Sequence, residues 1–535
     1  MIKSSNQGRE GAPQIASAKH WIRHETTTSN PSLPVLAACV AFLLLRATPA
    51  SAQTQARVGP ESAAPPALVA QIAELIDRPG GLTAERAAIR AVATSPAVRG
   101  ASDDAMAADA SRRQAALAYV PHFGAKASYT RLSDIGAVSF GDFAEAPRGT
   151  PLGPLTQSGA NGTPALTSPL SNVPLRLFFP DNQWTLDASV TVPVSDYVLR
   201  LSRQYASAEH SAEAASLMAR ASKSAVGSNA QIQYYAWARA RLEEIVARDT
   251  LEQLQSHGAD ARAELDAGKT SQADLMSVEA QLAQAETLVA RARSAVLIEE
   301  DRLRTLLHDR SETHYEIGEM LLATPAPLPG EQDFLSLFDE GLRQRPELRA
   351  ASATARGLRE QAEASRIGLY PRLDAVGDAS YANPNPRYFP PSQTWHTAWS
   401  LGAALTWSSV DAIVGGTTAD AANARASGAE AHLEQLEDAL RDEVMTSWRA
   451  VKDAEVAVES TKRSLASAEE SYRVRRVLFR VGRATSTELT DSETALTQAR
   501  FEDINAHMDL RIGRVRLLHA VGRDDVSVND ERAAL

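Results

Sequence analysis

One segment of this chain is written twice, and that duplication limits the fold more than any other feature. "VGRATSTELTDSETALTQAR" runs from Val481 to Arg500, and "AGKTSQADLMSVEAQLAQAE" runs from Ala267 to Glu286. Gly268 pairs with Gly482, Asp274 with Glu488, Leu275 with Leu489, Glu279 with Glu493 and Leu282 with Leu496, each 214 residues apart. A second duplicated block opens at Pro96 and Pro346 and closes at Pro121 and Pro371, at an offset of 250. A chain repeated on this scale builds one supersecondary unit twice and buries the two copies against each other. The change of offset puts about 36 extra residues in the first copy, between its two matched blocks.

The units read as helical. No proline interrupts Ser195 to Leu265, and none interrupts Gly416 to Phe479. A helix of this length spans roughly 100 Å at 1.5 Å per residue. Each run ends at a glycine, Gly268 or Gly482, and a second helix begins just beyond it. Ser271-x-x-Asp274 and Thr485-x-x-Glu488 have the form of capping boxes, in which hydroxyl and carboxylate satisfy the free N–H groups of a helix start. Leu275, Val278, Leu282, Ala285, Val289, Ala292, Val296 and Leu303 alternate steps of three and four, with one step of seven, as a coiled-coil seam does. The blocks at Pro96 and Pro346 predict shorter helices. One of these, stacked end to end on a helix from a glycine turn, matches a long helix in length. Aromatic residues make up only 5% of the chain, which favours long helices over several aromatic-cored domains.

Four segments instead alternate with period two, the mark of strands with one apolar face. In "WTLDASVTV", Trp184, Leu186, Ala188, Val190 and Val192 share a face; in "WSLGAALTW", Trp399, Leu401, Ala403, Leu405 and Trp407 do. "FGAKASYT" alternates in the same way and "RLDAVGDASY" more weakly. Aromatics at the ends of such faces suit either the girdle of a membrane barrel or one face of a soluble β-sandwich. Residues 132–181 are rich in Gly, Pro, Ser, Thr and Asn, which predicts a long surface loop. The second copy replaces it with the shorter "ANPNPRYFPPSQ".

The first 52 residues read as an export leader. Lys3, Arg9, Lys19 and Arg23 precede the apolar run "LPVLAACVAFLLL", and Ala50-Ser51-Ala52 makes a small-x-small cleavage site. The single cysteine, Cys39, lies in that run, where "LAAC" also resembles a lipoprotein box; cleavage after Ala52 would leave no cysteine. No other stretch has 18 consecutive apolar residues, so no transmembrane helix is expected. A net charge of −11 gives no reason to expect a nucleic-acid partner. "GKT", Gly268 to Thr270, lacks the upstream glycine of a phosphate loop, since Ala263 stands there. "HETTT", His24 to Thr28, lacks the second histidine of a zinc motif. No catalytic residue, metal ligand or cofactor site is expected, and the chain does not read as an enzyme.

The order helix, strand, loop, strand, long helix, glycine turn, helix, written twice, resembles the TolC family of outer-membrane efflux proteins. "LTAERAAIRAVATSPAVRG", "RQRPELRAA", "LYPRLD" and "VGRATSTELTD" are similar to that family's recurrent segments, and the resemblance covers roughly residues 80 to 525. It implies a mainly α fold with a membrane β-barrel part. Four strands per chain are too few to close a barrel; the family implies a homotrimer with a 12-stranded barrel that continues into an α-helical coiled-coil tunnel. On that pattern residues 1–52 are the signal peptide and 53–95 an N-terminal equatorial segment. Residues 96–308 and 346–521 are the two repeats, 309–345 an equatorial linker, and 522–535 a C-terminal tail. Expected strands are about 122–131, 183–193, 372–383 and 397–408. Expected helices are about 96–119, 197–265, 271–308, 346–369, 414–479 and 485–521.

The resemblance also assigns roles. Trp184, Leu186, Val190, Val192, Trp399, Leu401, Leu405 and Trp407 would face outer-membrane lipid. The turns, Gly268, Lys269, Thr270 and Ser271 with Gly482, Arg483, Thr485 and Ser486, would dock a periplasmic adaptor, or membrane fusion protein, linked to an inner-membrane transporter. Glu488 and Asp491, spaced i, i+3 on one face, would form the lumen constriction, with Asp274 their counterpart in the first repeat. Where the family has a basic residue two after the glycine, this chain has Ala484, and its basic residue is Arg483. The implied function is the outer-membrane duct of a tripartite efflux pump. A type I secretion duct for polypeptides, or a periplasmic coiled-coil scaffold, are the alternatives.

Overall fold

Each half of the chain contributes two strands to one four-stranded sheet and one long helical hairpin to one wall. The computed structural model describes residues 72, 76–133, 138–145, 171–177, 181–310, 314–327, 330, 333–389 and 392–524, all within the unit Ala64–Leu535. The leader with Cys39, and the tail beyond residue 524, lie outside the described residues. In chain order the helices are α1 (Ala84–Thr94), α2 (Pro96–Leu117), α3 (Val194–Val198), α4 (Arg200–Asp266), α5 (Gln272–Leu306), α6 (Phe334–Gln344), α7 (Pro346–Arg366), α8 (Ser409–Arg480) and α9 (Ser486–Val521). The strands are β1 (His122–Arg131), β2 (Val138–Glu145), β3 (Ser171–Leu177), β4 (Asn182–Val192), β5 (Arg372–Asn383) and β6 (His396–Thr406).

The helices form a wall. α2 and α5 both pack along α4, and α7 and α9 both pack along α8, so two shorter helices run beside each long one. The halves are joined because α4 also packs against α7 and α9. The order across the wall is therefore α2–α4–α7–α8 nearer the sheet and α5–α4–α9–α8 nearer the turns. Leu275, Val278, Ala285, Val296 and Leu303 of the predicted seam are buried. α8 starts at Ser409, five residues before the expected start, because the Ser408 hydroxyl accepts from Asp411 N–H and caps it there.

The sheet order is β1-β4-β5-β6, all antiparallel, with a free edge on β1 and on β6 among the described residues. Its register places Phe123, Val190, Gly377 and Leu401 in one row, and Ala127, Leu186 and Tyr381 in another on the same side. Tyr129 and Trp184 end that face with ring centroids 4.4 Å apart. Its apolar side chains are the exposed ones: Phe123 is 76% exposed, Leu401 78%, Trp399 74% and Leu405 72%. Gln183, Thr185 and Asp187 on the opposite face are half-buried. A half-buried sheet in water shows the reverse pattern, so this one is built to face an apolar medium. Val190 and Val192, near the helical end, are only partly exposed. Trp407 lies one residue past β6, where its indole N–H donates to the Leu369 carbonyl at 3.3 Å.

The 132–181 segment corrects the expectation of a plain loop. Within it β2 and β3 pair antiparallel, from Val138↔Leu177 to Glu145↔Ser171. The Gly and Pro content of the whole stretch masks the β-prone run "VSFGDFAE" inside it. Residues 134–137, 146–170 and 178–180 lie outside the described residues.

The linker between the repeats is pinned in place. Trp237, Tyr234 and Leu242 of α4 share a core with Ala87 and Ala91 of α1, Leu303 of α5, Met508 of α9, and Ile317 and Leu321 of the linker. Arg511 of α9 donates to the carbonyls of Leu321 (2.9 Å) and Ala323 (3.0 Å). Arg514 donates to those of Pro325 (2.7 Å) and Ala326 (2.9 Å). Chain without regular structure is thus held because its carbonyls find fixed cationic donors.

Candidate functional site

The two turns at the ends of the hairpins are near copies in atomic detail. Gly268 and Gly482 have φ of +68° and +69°, a left-handed conformation that glycine adopts without strain. Gly268 N–H donates to Leu265 O and Lys269 N–H to Glu264 O; Gly482 N–H donates to Phe479 O and Arg483 N–H to Leu478 O, all at 2.8–2.9 Å. These are Schellman closures of α4 and α8. Both following helices start with a complete capping box, Ser271 with Asp274 and Thr485 with Glu488. Lys269 and Arg483 project from the turns, exposed. Ser486 does not: it is 7% exposed, and its hydroxyl lies 3.3 Å from His257 Nε2. It is removed from the docking set, because its side of the first turn of α9 faces α4 rather than solvent.

The acids divide. Glu488 accepts from Thr485 N–H at 2.9 Å and from Arg475 of α8 at 2.7 Å. Those bonds hold its carboxyl below the usual carboxylate range. Asp274 is likewise lowered, first by the Ser271 hydroxyl and then by the Ser271 backbone N–H. Both are occupied within their own hairpins. Asp491, one turn further, is exposed, and no hydrogen bond or ion pair reaches it among the described residues. It shares the exposed face of α9 with Glu488, Glu502 and Asp509.

A pH prediction follows from the caps. Both carboxyls are lowered in the folded state, so their stabilisation is present above the unfolded pKa and is lost as pH falls through the folded value. Amide protection at Ser271 and Thr485 should fall selectively below the ordinary carboxylate range. Hydrogen exchange corrected for intrinsic rate measures this; protection at these two amides independent of pH would contradict it.

Buried polar contacts between α4 and α9 join the hairpins, and periodicity did not reveal them. Arg500 Nη1 meets Asp249 Oδ2 at 2.6 Å, with side chains 7% and 8% exposed. His257 Nδ1 lies 3.2 Å from Glu493 Oε2, and its ring stands edge-on to Phe479, centroids 5.3 Å apart. The Thr250 and Thr497 hydroxyls are 3.1 Å apart, and at the exposed margin of this contact Arg239 pairs with Asp509. His257 and Glu493 each lie 11 residues from their own turn glycine, so the two tips stand level. That equality of spacing was the available signal.

A sheet whose apolar face is exposed, joined to a wall of paired helices, fits a chain of an outer-membrane channel. The chain belongs to the outer membrane efflux protein family, described as "Outer membrane efflux protein", which it matches over residues 168–308 and 337–523. No curated protein matches the chain in sequence. Among solved structures it is similar to the outer-membrane channel OprN, at 19% identity and a TM-score of 0.62, covering 88% of this chain and 98% of that one. It is similar also to the outer membrane protein VceC from Vibrio cholerae (16% identity, TM-score 0.63, 82% and 96% covered). A third is the Campylobacter jejuni CmeC outer membrane channel (13% identity, TM-score 0.62, 84% and 89% covered). The fold is TolC-like. The protein is an outer-membrane efflux channel, with its helical part on the periplasmic side.

Proposed function

We propose that three copies form the passive outer-membrane duct of a tripartite efflux pump, carrying small molecules or ions delivered by an inner-membrane transporter through a periplasmic adaptor. The observation that carries this reading is the pairing of two features: four strands that cannot close alone, and two level tips with an exposed cation directly after each turn glycine, Lys269 and Arg483. A periplasmic scaffold has no use for a sheet whose apolar side is the exposed one. The duct performs no chemistry, binds no cofactor or resident metal, and leaves cargo selection to the transporter. Lys269→Glu combined with Arg483→Glu should abolish efflux of small toxic compounds while the membrane assembly persists. Unchanged efflux would remove the turns from docking. Loss of polypeptide secretion, with small-molecule efflux intact, would favour the secretion duct.

Within this reading Asp491 is the constriction residue, because Glu488 is spent on its cap and on Arg475. Three copies would set three uncompensated carboxylates around the lumen, which favours cations. Asp491→Asn should lower cation selectivity and weaken block by multivalent cations in bilayer conductance, and Glu488→Gln should change either one less. Equal selectivity in Asp491→Asn and the parent would place Asp491 away from the lumen.

A further inference from the structure

The free edge of β6 is not bare at the end of the sheet far from the helices. Leu132 N–H donates to Asp181 O at 2.7 Å, directly beyond the Arg131↔Asn182 pair. In an antiparallel ladder, pairs that bond each other alternate with pairs whose N–H and C=O groups turn away. Carried across the registers, this phase makes the even-numbered residues of β5 and β6 bond each other. The odd-numbered residues of β6, Thr397, Trp399, Leu401, Ala403 and Leu405, therefore turn their N–H and C=O groups to the free edge. Two of those carbonyls are already taken. Tyr388 donates its hydroxyl to Thr397 O at 3.1 Å, and Arg387 donates Nη1–H to Trp399 O at 2.9 Å.

Both donors come from the β5–β6 connection, which is anchored to hold them there. Asn385 is 3% exposed; its side-chain amide donates to His396 O and its Oδ1 accepts from Arg387 N–H, each at 3.0 Å. The Tyr388 ring stacks on His396, centroids 4.3 Å apart and planes 18° apart. His396 lies opposite Ala382 in the register, on the face away from Leu401. Ala382 is fully buried, so the connection covers the polar face at this corner and reaches the edge from that side.

We propose that Arg387 and Tyr388 guard the β6 edge of the unassembled chain and release it when a strand of a second copy pairs there. This rests on the trimer reading and adds a step to assembly rather than a contact to the assembled channel. An exposed edge is a template for any strand, and side chains laid along it deny that template. The guard is also exchangeable, because it is incomplete. It gives donors to two carbonyls, but among the described residues no side-chain acceptor reaches the N–H groups of Thr397 and Trp399, which turn to the same edge. A neighbouring strand supplies both donor and acceptor. Leu401, Ala403 and Leu405 keep bare edge groups, so pairing starts beside the helical wall and displaces the two donors last.

Full-length Arg387→Ala/Tyr388→Phe protein, refolded from denaturant into detergent micelles, tests the guard. Its monomer should disappear several-fold faster than the parent's, with a larger share running above the trimer on unheated gels. Arg387→Lys, which keeps a cationic donor, should stay near the parent rate. Phe389→Ala, next in the chain and 75% exposed, should match the parent, since Phe389 makes no bond to the edge. Helix formation followed by circular dichroism should be the same in parent and double variant. A double variant that consumes monomer no faster, that gives no trimer, or whose helix formation changes overturns the guard. So does equal acceleration in Phe389→Ala. The native mass of the assembled parent separates two failures. A three-chain mass with no acceleration overturns the guard and leaves the trimer standing, whereas a one-chain mass overturns both.

Discussion

An arginine in place of Leu401 is expected to block membrane assembly, at a cost of about 2–4 kcal/mol per chain if the site is near the bilayer midplane. Leu401 stands opposite Gly377 in the register, and its side chain is the most exposed of the large apolar residues on that face. Glycine across the strand gives it no cover, so lipid is the only apolar medium available to it. Val190→Arg should act in the same direction but less, since Val190 is partly covered. Ser400→Arg, one residue away on the other face, should assemble normally and change conductance instead. Heat-modifiable oligomer in the outer-membrane fraction is the readout. Normal oligomer yield from Leu401→Arg would remove the face from lipid.

The second large effect belongs to the buried pair between the hairpins. Asp249→Ala should destabilise the assembly by about 3–5 kcal/mol, because it leaves the Arg500 guanidinium buried without its partner. Desolvation explains the size: the Coulombic gain of such a pair roughly balances the cost of burying two ions, and removing one partner keeps the cost without the gain. Asp249→Leu with Arg500→Leu should therefore recover most of the loss. Denaturant unfolding of the detergent-solubilised protein reads the stability. Hydrogen exchange in the turn-proximal half of α9 shows whether the loss is local. A double variant no better than Asp249→Ala would mean that the pair orders its surroundings in a way an apolar pair cannot.

The duplicated hairpins were legible because their determinants are local: a glycine free of proline neighbours, a hydroxyl three residues before an acid, and a step of three or four between apolar residues. The strands were legible for the same reason, and the structure changed their limits by only a few residues. Ser486 was misplaced because exposure at a helix start depends on what the helix faces, and α4, more than 200 residues earlier, covers it. The contacts among His257, Asp249, Glu493 and Arg500 escaped notice because polar residues scattered on long helices carry no period. Only their common distance from the two glycines hints that they meet. The β2–β3 ribbon was hidden by averaging composition over fifty residues. Asp491 lies beyond the capping box of its helix, whereas Glu488 and Asp274 each carry capping bonds that their sequence spacing already suggested.

The account depends most on which side of the sheet meets lipid. Spin labels placed singly along β6, from Thr397 to Leu405, in protein reconstituted into bilayers would report this directly. Positions Trp399, Leu401, Ala403 and Leu405 should be accessible to oxygen and shielded from a water-soluble nickel chelate. Positions Ser400, Gly402 and Ala404 should show the opposite, because the proposed trimer encloses water on that side. The same period with the phases exchanged, or chelate access at every position, would contradict the membrane channel.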